Sequence, residues 1–544
     1  MSSGRLRRPT PRVIALSGPV AAGKSTLALA LTDEYGADRL RTQRLLRDIA
    51  EQRGTSLPSS RGALQDFGDA LDDESGGGWL ADAVLAHADG STAAMIVVDA
   101  VRTLDQLEAL RDRFVHVDHL HVYAPRHILD SRYQQRDSEF QEFSTYDEVA
   151  ANATESHIGD LRGDAEVAID TDRCDKGDVL IRAAAALRLL PGRREQLVDV
   201  LVGGQYGSEG KGNIAFYLAA EYDLLMRVGG PNAGHKVPTD PVFTHRLLPS
   251  GTLANPDATL VIGPGATLDV ALLLQEIRAC NVQPGRLFID PQAMIIEPQD
   301  LAAESELVET IGSTGKGGGS AAARRITGRR GDTDVRLAGH VEELACYIKP
   351  SARVLSDAYR AHRRIMLEGT QGTALSLYHG SYPHVTSRDT TTAGCLAEAG
   401  IAWSRVRDVI MVCRAYPIRV QNPPHGTSGP MKQEIGWDDV AQRSKQPLDR
   451  LRSTERGSVS NNERRVAEFD WELLRSAAEV NGATAIALTF SDYLSEVNSN
   501  ARRFDQLDPP TILFIEEIER VADAPVSLIG TRFDQRSIID RRRR

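Results

Sequence analysis

Val198-Asp199-Val200-Leu201-Val202-Gly203-Gly204-Gln205-Tyr206-Gly207-Ser208-Glu209-Gly210-Lys211-Gly212 reads as a buried strand running into a glycine-rich turn and then a helix. Its glycines let backbone come close to a ligand. The helix start offers unpaired N–H groups to anions, and Lys211 adds a mobile positive charge. Gly207, Glu209, Gly210, Lys211 and Gly212 are therefore candidates for handling phosphate. Nothing before residue 197 shares the apolar pattern of this segment, so it opens a domain of its own.

At 544 residues the chain is too long for one hydrophobic core, and two domains are expected. Hydrophobic content of 41% and charged content of 26% describe a soluble globular protein, and a formal charge of −11 argues against broad nucleic-acid binding. No segment is long and apolar enough for a membrane span, and the Arg5, Arg7 and Arg8 cluster is not followed by a signal-like stretch. Residues 1–10 are expected to be a flexible N-terminus. The five cysteines, Cys174, Cys280, Cys346, Cys395 and Cys413, show no metal-binding spacing and are expected as reduced core residues of a cytoplasmic protein. The terminal Arg541–Arg544 run is expected to be solvated and frayed.

Before the boundary, Val13-Ile14-Ala15-Leu16-Ser17 leads into Gly18-Pro19-Val20-Ala21-Ala22-Gly23-Lys24-Ser25-Thr26 and a helical stretch. This is G-x-x-x-x-G-K-S in a strand–loop–helix context. Gly18, Gly23, Lys24, Ser25 and Thr26 would cradle NTP phosphates, with Ser25 on Mg²⁺. Asp99 ends the apolar run Met95-Ile96-Val97-Val98, as a catalytic acid or as a cap for a helix from Leu104. Arg126, Arg132 and Arg136 recur at helical spacing and read as a phosphate-closing lid or a solvated face. His119 and His121 alternate with apolar residues in a further strand. An alanine-rich helix is expected over 181–190. Residues 11–190 resemble P-loop kinases of the nucleoside-monophosphate or dephospho-coenzyme-A kinase kind, with the acceptor unread. Pro191-Gly192-Arg193-Arg194 marks a linker over 191–197, and 198–544 forms the second domain.

That second domain adds glycine-rich blocks to the elbow: Gly229-Gly230-Pro231-Asn232-Ala233-Gly234-His235-Lys236, Ser313-Thr314-Gly315-Lys316-Gly317, Leu367-Glu368-Gly369-Thr370-Gln371-Gly372-Thr373, and Tyr382-Pro383-His384-Val385-Thr386-Ser387. A histidine among glycines is free to act as acid or base, and several such loops converging suit phosphates. Together these blocks resemble the adenylosuccinate synthetase family over nearly all of 197–544, in its compact form. The resemblance implies a mostly parallel α/β domain and a ligase that phosphorylates O6 of a purine monophosphate with ATP or GTP, then lets L-aspartate displace phosphate. It implies His235 as acid at O6, Lys211 on the phosphoryl group in flight, and the Gly234 backbone on Mg²⁺. Asn232, Thr314, Gly315, Gln371 and Thr386 are implied around the monophosphate. Arg324 is implied as reaching a neighbouring subunit's substrate, hence a homodimer. Ser458, Val459, Ser460 and Arg464 are implied around aspartate, and Asp492 at the base of the NTP.

Ser208 departs from the family, which carries aspartate there as base for the N1 proton. A hydroxyl cannot replace that carboxylate as a base. A shorter, neutral residue makes room for a C2 amino group and offers it an acceptor, as in the dGMP-using, 2-aminoadenylosuccinate-forming branch; dGMP is expected over IMP. Asn462, in place of an arginine, weakens the case for a ribonucleotide. Phe490 in Leu488-Thr489-Phe490-Ser491-Asp492 and the Gly530-Thr531-Arg532-Phe533-Asp534 loop depart from a guanine-reading pattern, leaving ATP or dATP open as donor. Conventional IMP-dependent synthesis and a nucleotide-sensing or defence module remain alternatives.

Overall fold

In the computed structural model, the described residues are 11–57, 60–135, 145–151, 155, 157–190, 195–330, 335–457 and 463–542. The expected N-terminal arm, Arg136, the Ser458, Val459 and Ser460 candidates and Asn462 lie outside them. The chain divides into two compact units, 1–190 and 191–544. Both are α/β with mainly parallel sheets.

The first unit is built on five parallel strands in the spatial order Asp38–Leu40, Met95–Val98, Arg12–Ser17, Val117–Tyr123 and Val167–Asp170. Alternation along Arg12–Ser17 sends Val13 and Ala15 into one apolar layer and Ile14 and Leu16 into the other, so helices cover both faces. The P-loop leaves the central strand at its carboxyl end. Gly18 is required there, because a Cβ at that position would stand 2.0 Å from the Val122 carbonyl oxygen, and its φ is +137°. His119 and His121 are buried rather than merely alternating: Ser17 Oγ lies 2.6 Å from His119 Nε2 and 2.9 Å from His121 Nδ1. The alanine-rich helix runs over Lys176–Ala186, earlier than expected, because Asp175 and Asp178 form a capping box at its start.

The second unit carries a nine-stranded sheet. Its order is Leu287–Ile289, Thr259–Ile262, Leu224–Arg227, Ile365–Glu368, Val198–Gly203, Val406–Arg414, Ala485–Thr489, Val526–Gly530 and Ile538–Asp540, all parallel except the last. Val198, Val200 and Val202 enter one core layer and Leu201 the other. The elbow strand is therefore central and buried on both faces, which is why it reads as an unbroken apolar run. Two smaller antiparallel elements attach to this frame: a hairpin pairing His235–Val237 with Phe243–His245, and a three-stranded sheet that includes Arg464–Ala467.

Two expectations are corrected here. Arg541 and Arg542 are docked rather than frayed: Arg541 Nη1 donates to Glu519 Oε1 at 2.6 Å, and Arg542 Nη2 donates to Glu221 Oε1 at 2.6 Å and Asp540 Oδ2 at 2.7 Å. The antiparallel final strand delivers these arginines to carboxylates that a sequence reading cannot place. Of the cysteines, Cys280, Cys395 and Cys413 are buried, but Cys346 is exposed and Cys174 half-buried; all five are free thiols. Among the described residues, no helix is long and apolar enough to cross a membrane.

Candidate functional site

In the second unit, the quoted blocks meet at the carboxyl edge of the large sheet, where five neighbouring strands release their loops. The elbow leaves Val198–Gly203 and enters the helix Lys211–Leu218 through Gly210, at φ +89°. That helix lies against the His235 strand so closely that a Cβ on Gly212 would stand 2.9 Å from His235 Cβ. Ser208 is exposed, at φ +58°, and its carbonyl accepts from Arg414 Nη1 at 3.2 Å.

Glu209 is fully buried and turns back into its own loop. Its Oε1 accepts from the Gln205 and Gly207 amides at 3.1 and 2.8 Å, and its Oε2 accepts from Lys211 Nζ at 2.5 Å. A carboxylate has nothing to donate to a phosphate, so Glu209 braces the elbow rather than binding the anion, which corrects its expected role. Lys211 Nζ also donates to the Gln371 carbonyl. Gln371, at φ +65°, in turn donates Nε2–H to Thr386 Oγ1 at 2.6 Å, which joins two of the residues expected at the monophosphate.

His235 is 8% exposed and its Nδ1 is hydrogen-bonded to Glu368 Oε1. Glu368, fully buried at the end of Ile365–Glu368, also accepts from the Ser250 hydroxyl and from the Ser250 amide, the latter at 2.7 Å. The Arg227 guanidinium stands 4.0 Å away. Burial, seconded by Arg227, pushes the His235 ring down to about 4. Burial opposes charge on Glu368, but the hydrogen bond from His235, together with the Arg227 charge, outweighs it and holds the carboxyl below the usual range. With Nδ1 committed to a carboxylate, Nε2 is the ring atom left for proton exchange.

On the other flank, Arg414 ends its strand 1% exposed by side chain, pairs with Glu455 at 3.0 Å and lies 4.0 Å over the Phe490 ring. Tyr493 also donates to Glu455, at 2.7 Å. Arg464 opens the middle strand of the small sheet half-buried; burial lowers its guanidinium to about 10, the Glu455 charge opposing that shift and the Arg414 charge adding to it. Asp492 is buried, its Oδ1 has no hydrogen-bond partner, and burial raises its carboxyl to about 6.

The Thr314–Gly315 loop joins the site through its far end. A Cβ on Gly318 would meet Asn232 Oδ1 at 3.1 Å, and one on Gly319 would meet Ser387 Cβ at 2.7 Å. The amides of Gly317, Gly319 and Ser320 are already taken by Glu304, at 2.8, 2.7 and 3.2 Å, so the following helix start is capped from within. Arg324 donates to Asp300 Oδ1 at 3.1 Å and Oδ2 at 2.6 Å and to the Ile295 carbonyl at 3.0 Å, which fixes the guanidinium at the end of that helix.

Sequence reasoning missed Glu368, Arg227, Arg414 and Glu455. The first three share one signal, a charged residue closing an apolar strand run at the carboxyl edge. Glu455 carried none.

In the first unit, Lys24 Nζ folds onto the Gly18 and Pro19 carbonyls, at 2.5 and 2.8 Å. Ser25 Oγ donates to Asp99 Oδ1 at 3.1 Å, and Arg39 Nε donates to Asp99 Oδ2 at 2.9 Å. Asp99 therefore belongs to the phosphate loop, and Thr103, not Asp99, caps the helix Leu104–Arg113. Arg132 donates to Thr171 Oγ1 and O at 2.9 and 2.7 Å and lines the same cavity, of about 610 Å³, as Lys24 and Asp99.

For Mg²⁺, the Ser25 hydroxyl and the Asp99 carboxylate are the hard oxygens that such a cation takes beside NTP phosphates. Among the described residues, no cluster of three or more His, Cys, Asp or Glu side chains is arranged for a metal.

The adenylosuccinate synthetase model matches residues 200–335 and 332–499. The adenylosuccinate synthetase of Pyrococcus sp. (strain ST700) is 37% identical over 353 residues, covering 63% of this chain and 98% of that protein. The adenylosuccinate synthetase of Archaeoglobus fulgidus is 34% identical over 351 residues, with 63% and 98% covered. Among solved structures, the Plasmodium falciparum adenylosuccinate synthetase aligns with a TM-score of 0.57 at 22% identity, covering 63% of this chain and 99% of that one. The cyanophage S-2L succinoaminodeoxyadenylate synthetase aligns with a TM-score of 0.53 at 28% identity, covering 64% and 96%. On its sequence and on the sheet-edge site of its second unit, the chain belongs to the adenylosuccinate synthetase family.

Proposed function

We propose that the second unit joins L-aspartate to C6 of a purine deoxynucleoside monophosphate, with dGMP as preferred substrate. The observation that carries this is Ser208, a short neutral residue, exposed, in an elbow otherwise made of family residues. Its hydroxyl has room beside a C2 amino group and accepts a hydrogen bond from it; hypoxanthine has no such group. The cyanophage relative is bound to dGMP and dATP, which supports the same reading.

In this reading the N1 proton passes to solvent water at the exposed Ser208, O6 attacks the γ-phosphorus and the bond to the β–γ bridging oxygen breaks; the aspartate amine then displaces phosphate at C6 and releases its own proton to solvent. Lys211 leaves Glu209 and the Gln371 carbonyl for the incoming phosphates. Their negative charge raises the affinity of the His235 ring for a proton, which Nε2 then delivers at O6. Gln371 and Thr386, already joined, hold the monophosphate, and Arg464 clamps the aspartate carboxylate in a fork. Mg²⁺, when bound, neutralises charge on the transferred phosphoryl group.

Asp492 bears on the donor. An ionised carboxylate suits the two donors on guanine's edge, whereas a protonated one donates to adenine N1 and accepts from N6. A carboxyl raised to about 6 is still mostly ionised at pH 7.5, but the raise lowers the cost of taking up a proton as adenine binds, and adenine nucleotides are the proposed donors. A folded-state value raised above the unfolded one means the proton stabilises the fold below about pH 4, an effect lost as pH rises through about 6. Asp492→Asn is therefore expected to raise Tm by about 3–6 °C at pH 7.5 and by much less at pH 4.5. It should leave the KM for ATP or dATP within about threefold and raise that for GTP by about tenfold or more. Calorimetry and donor kinetics check both.

The first unit is proposed to be an NTP-dependent kinase, on its P-loop and the Ser25–Asp99–Arg39 cluster. The second unit is tested by a panel of IMP, dIMP, GMP and dGMP with aspartate and ATP or GTP, followed as succinylated product. The expected kcat/KM for dGMP exceeds that for IMP by about tenfold or more. Use of IMP with none of dGMP would sink the proposal.

A further inference from the structure

The cavity of the first unit runs from Lys24 and Ser25 of the phosphate loop to the helix Arg61–Ser75. Its volume, about 610 Å³, falls within the range of sites for drug-sized and cofactor-sized ligands. Leu64, Gln65, Gly68, Asp69 and Asp72 line it from one face of that helix, since residues four apart lie one turn above each other. Gln65 is 6% exposed, and neither its Oε1 nor its Nε2 has a hydrogen-bond partner. Buried polar groups are nearly always paired, so a carboxamide orphaned at both ends and turned toward a cavity marks a ligand that supplies an acceptor and a donor side by side.

The surroundings define that ligand further. Leu46, Leu64 and Trp79 provide apolar walls around the amide. Trp79 is held by its Nε1–H donating to Asp72 Oδ1 at 2.6 Å, and Asp72 is itself fixed by Gln106 Nε2, at 3.0 and 2.8 Å from its two oxygens. A rigid aromatic wall beside a planar donor–acceptor pair suits a flat heterocycle with a mixed hydrogen-bonding edge. A polyol or a small hydroxy acid presents no such plane and leaves the walls unfilled. At the opposite end, Asp99 and the Arg39 guanidinium stand beside Ser25, where phosphoryl transfer would occur.

We propose that this cavity takes a nucleobase-bearing phosphoryl acceptor, a nucleoside or its 5′-monophosphate, and that the Gln65 carboxamide reads the edge of the base. The inference rests on the kinase reading of the first unit. The acceptor oxygen attacks the γ-phosphorus, the bond to the β–γ bridging oxygen breaks, and a nucleoside diphosphate departs. The proton of a hydroxyl acceptor is released to solvent water, whereas an ionised phosphate acceptor has none to lose. Gln65 is a specificity residue, and Asp72 positions the Trp79 wall.

The test uses the full chain with ATP and Mg²⁺ but without aspartate, which halts the ligase. Nucleosides, 5′-monophosphates and a polyhydroxy acid are offered as acceptors, and phosphorylated products are identified by mass. ATP binding is measured separately on the parent chain and on Lys24→Ala. Gln65→Leu is expected to raise the acceptor KM by about twentyfold or more. It should leave ATP binding within about threefold, with Tm unchanged or higher, since an orphaned amide is removed. Gln65→Glu, which lacks the amide donor, should shift the preference among bases. Products from nucleosides alone or from monophosphates alone identify which form is taken, and either supports the proposal. ATP binding with turnover of the polyhydroxy acid and of no nucleobase compound overturns this inference and leaves the kinase reading standing, as does nucleobase turnover unaffected by Gln65→Leu. ATP binding that is absent, or indifferent to Lys24→Ala, overturns both.

Discussion

Changing His235 to asparagine is expected to lower kcat for succinylated product by about 10³-fold, with KM for the purine monophosphate within about threefold. The ring is 8% exposed, and its Nδ1 is locked to a fully buried carboxylate that Ser250 also holds. Asparagine can fill part of the space and reach Glu368, but it carries no proton to deliver at O6. The loss therefore falls on the transition state rather than on binding. Exchange of the β–γ bridging oxygen of the donor separates phosphoryl transfer from the later displacement, and the defect should appear in the first. A thermal melt guards against a folding defect. A kcat within tenfold of the parent would remove His235 from the proton path.

The second large effect is a change of substrate. Ser208→Asp is expected to shift the ratio of kcat/KM for IMP over dGMP by about 10²–10³ toward IMP. The substitution asks little of the fold. Ser208 is at φ +58°, a conformation that aspartate adopts more readily than most residues, and its exposure keeps a new charge solvated. Arg414, whose Nη1 reaches the Ser208 carbonyl, supplies positive charge nearby. A carboxylate there accepts the N1 proton of hypoxanthine and crowds the C2 amino group of guanine, so the two substrates move in opposite directions. Continued preference for dGMP in the variant would overturn the role given to Ser208.

Much of both units was legible because phosphate loops announce themselves locally. A strand, a glycine-permitted turn and a lysine at a helix start are contiguous in sequence, so Gly18–Thr26 and Gly203–Gly212 could be placed without coordinates. The convergence of the Asn232, Gln371 and Thr386 blocks was inferred from their number and kind, and Gln371 and Thr386 do meet, at 2.6 Å. Reading failed where a residue's partner is distant in sequence. Glu209 stands among glycines and reads from sequence as a phosphate contact, yet it accepts from the Gln205 and Gly207 amides. Arg541 and Arg542 read as a charged tail, yet their carboxylates come from other elements.

By itself the sequence determined the two α/β units, the parallel central strands, both phosphate loops and the departure at Ser208. These are short-range patterns of hydrophobic period, glycine placement and residue identity. Only the tertiary structure decided which charges act on which. It set Glu368 against His235, Asp99 against Ser25, and the Gln65 amide along the cavity of the first unit. Burial and distance between remote segments govern those pairings, and they also decide whether a polar side chain is solvated or satisfied.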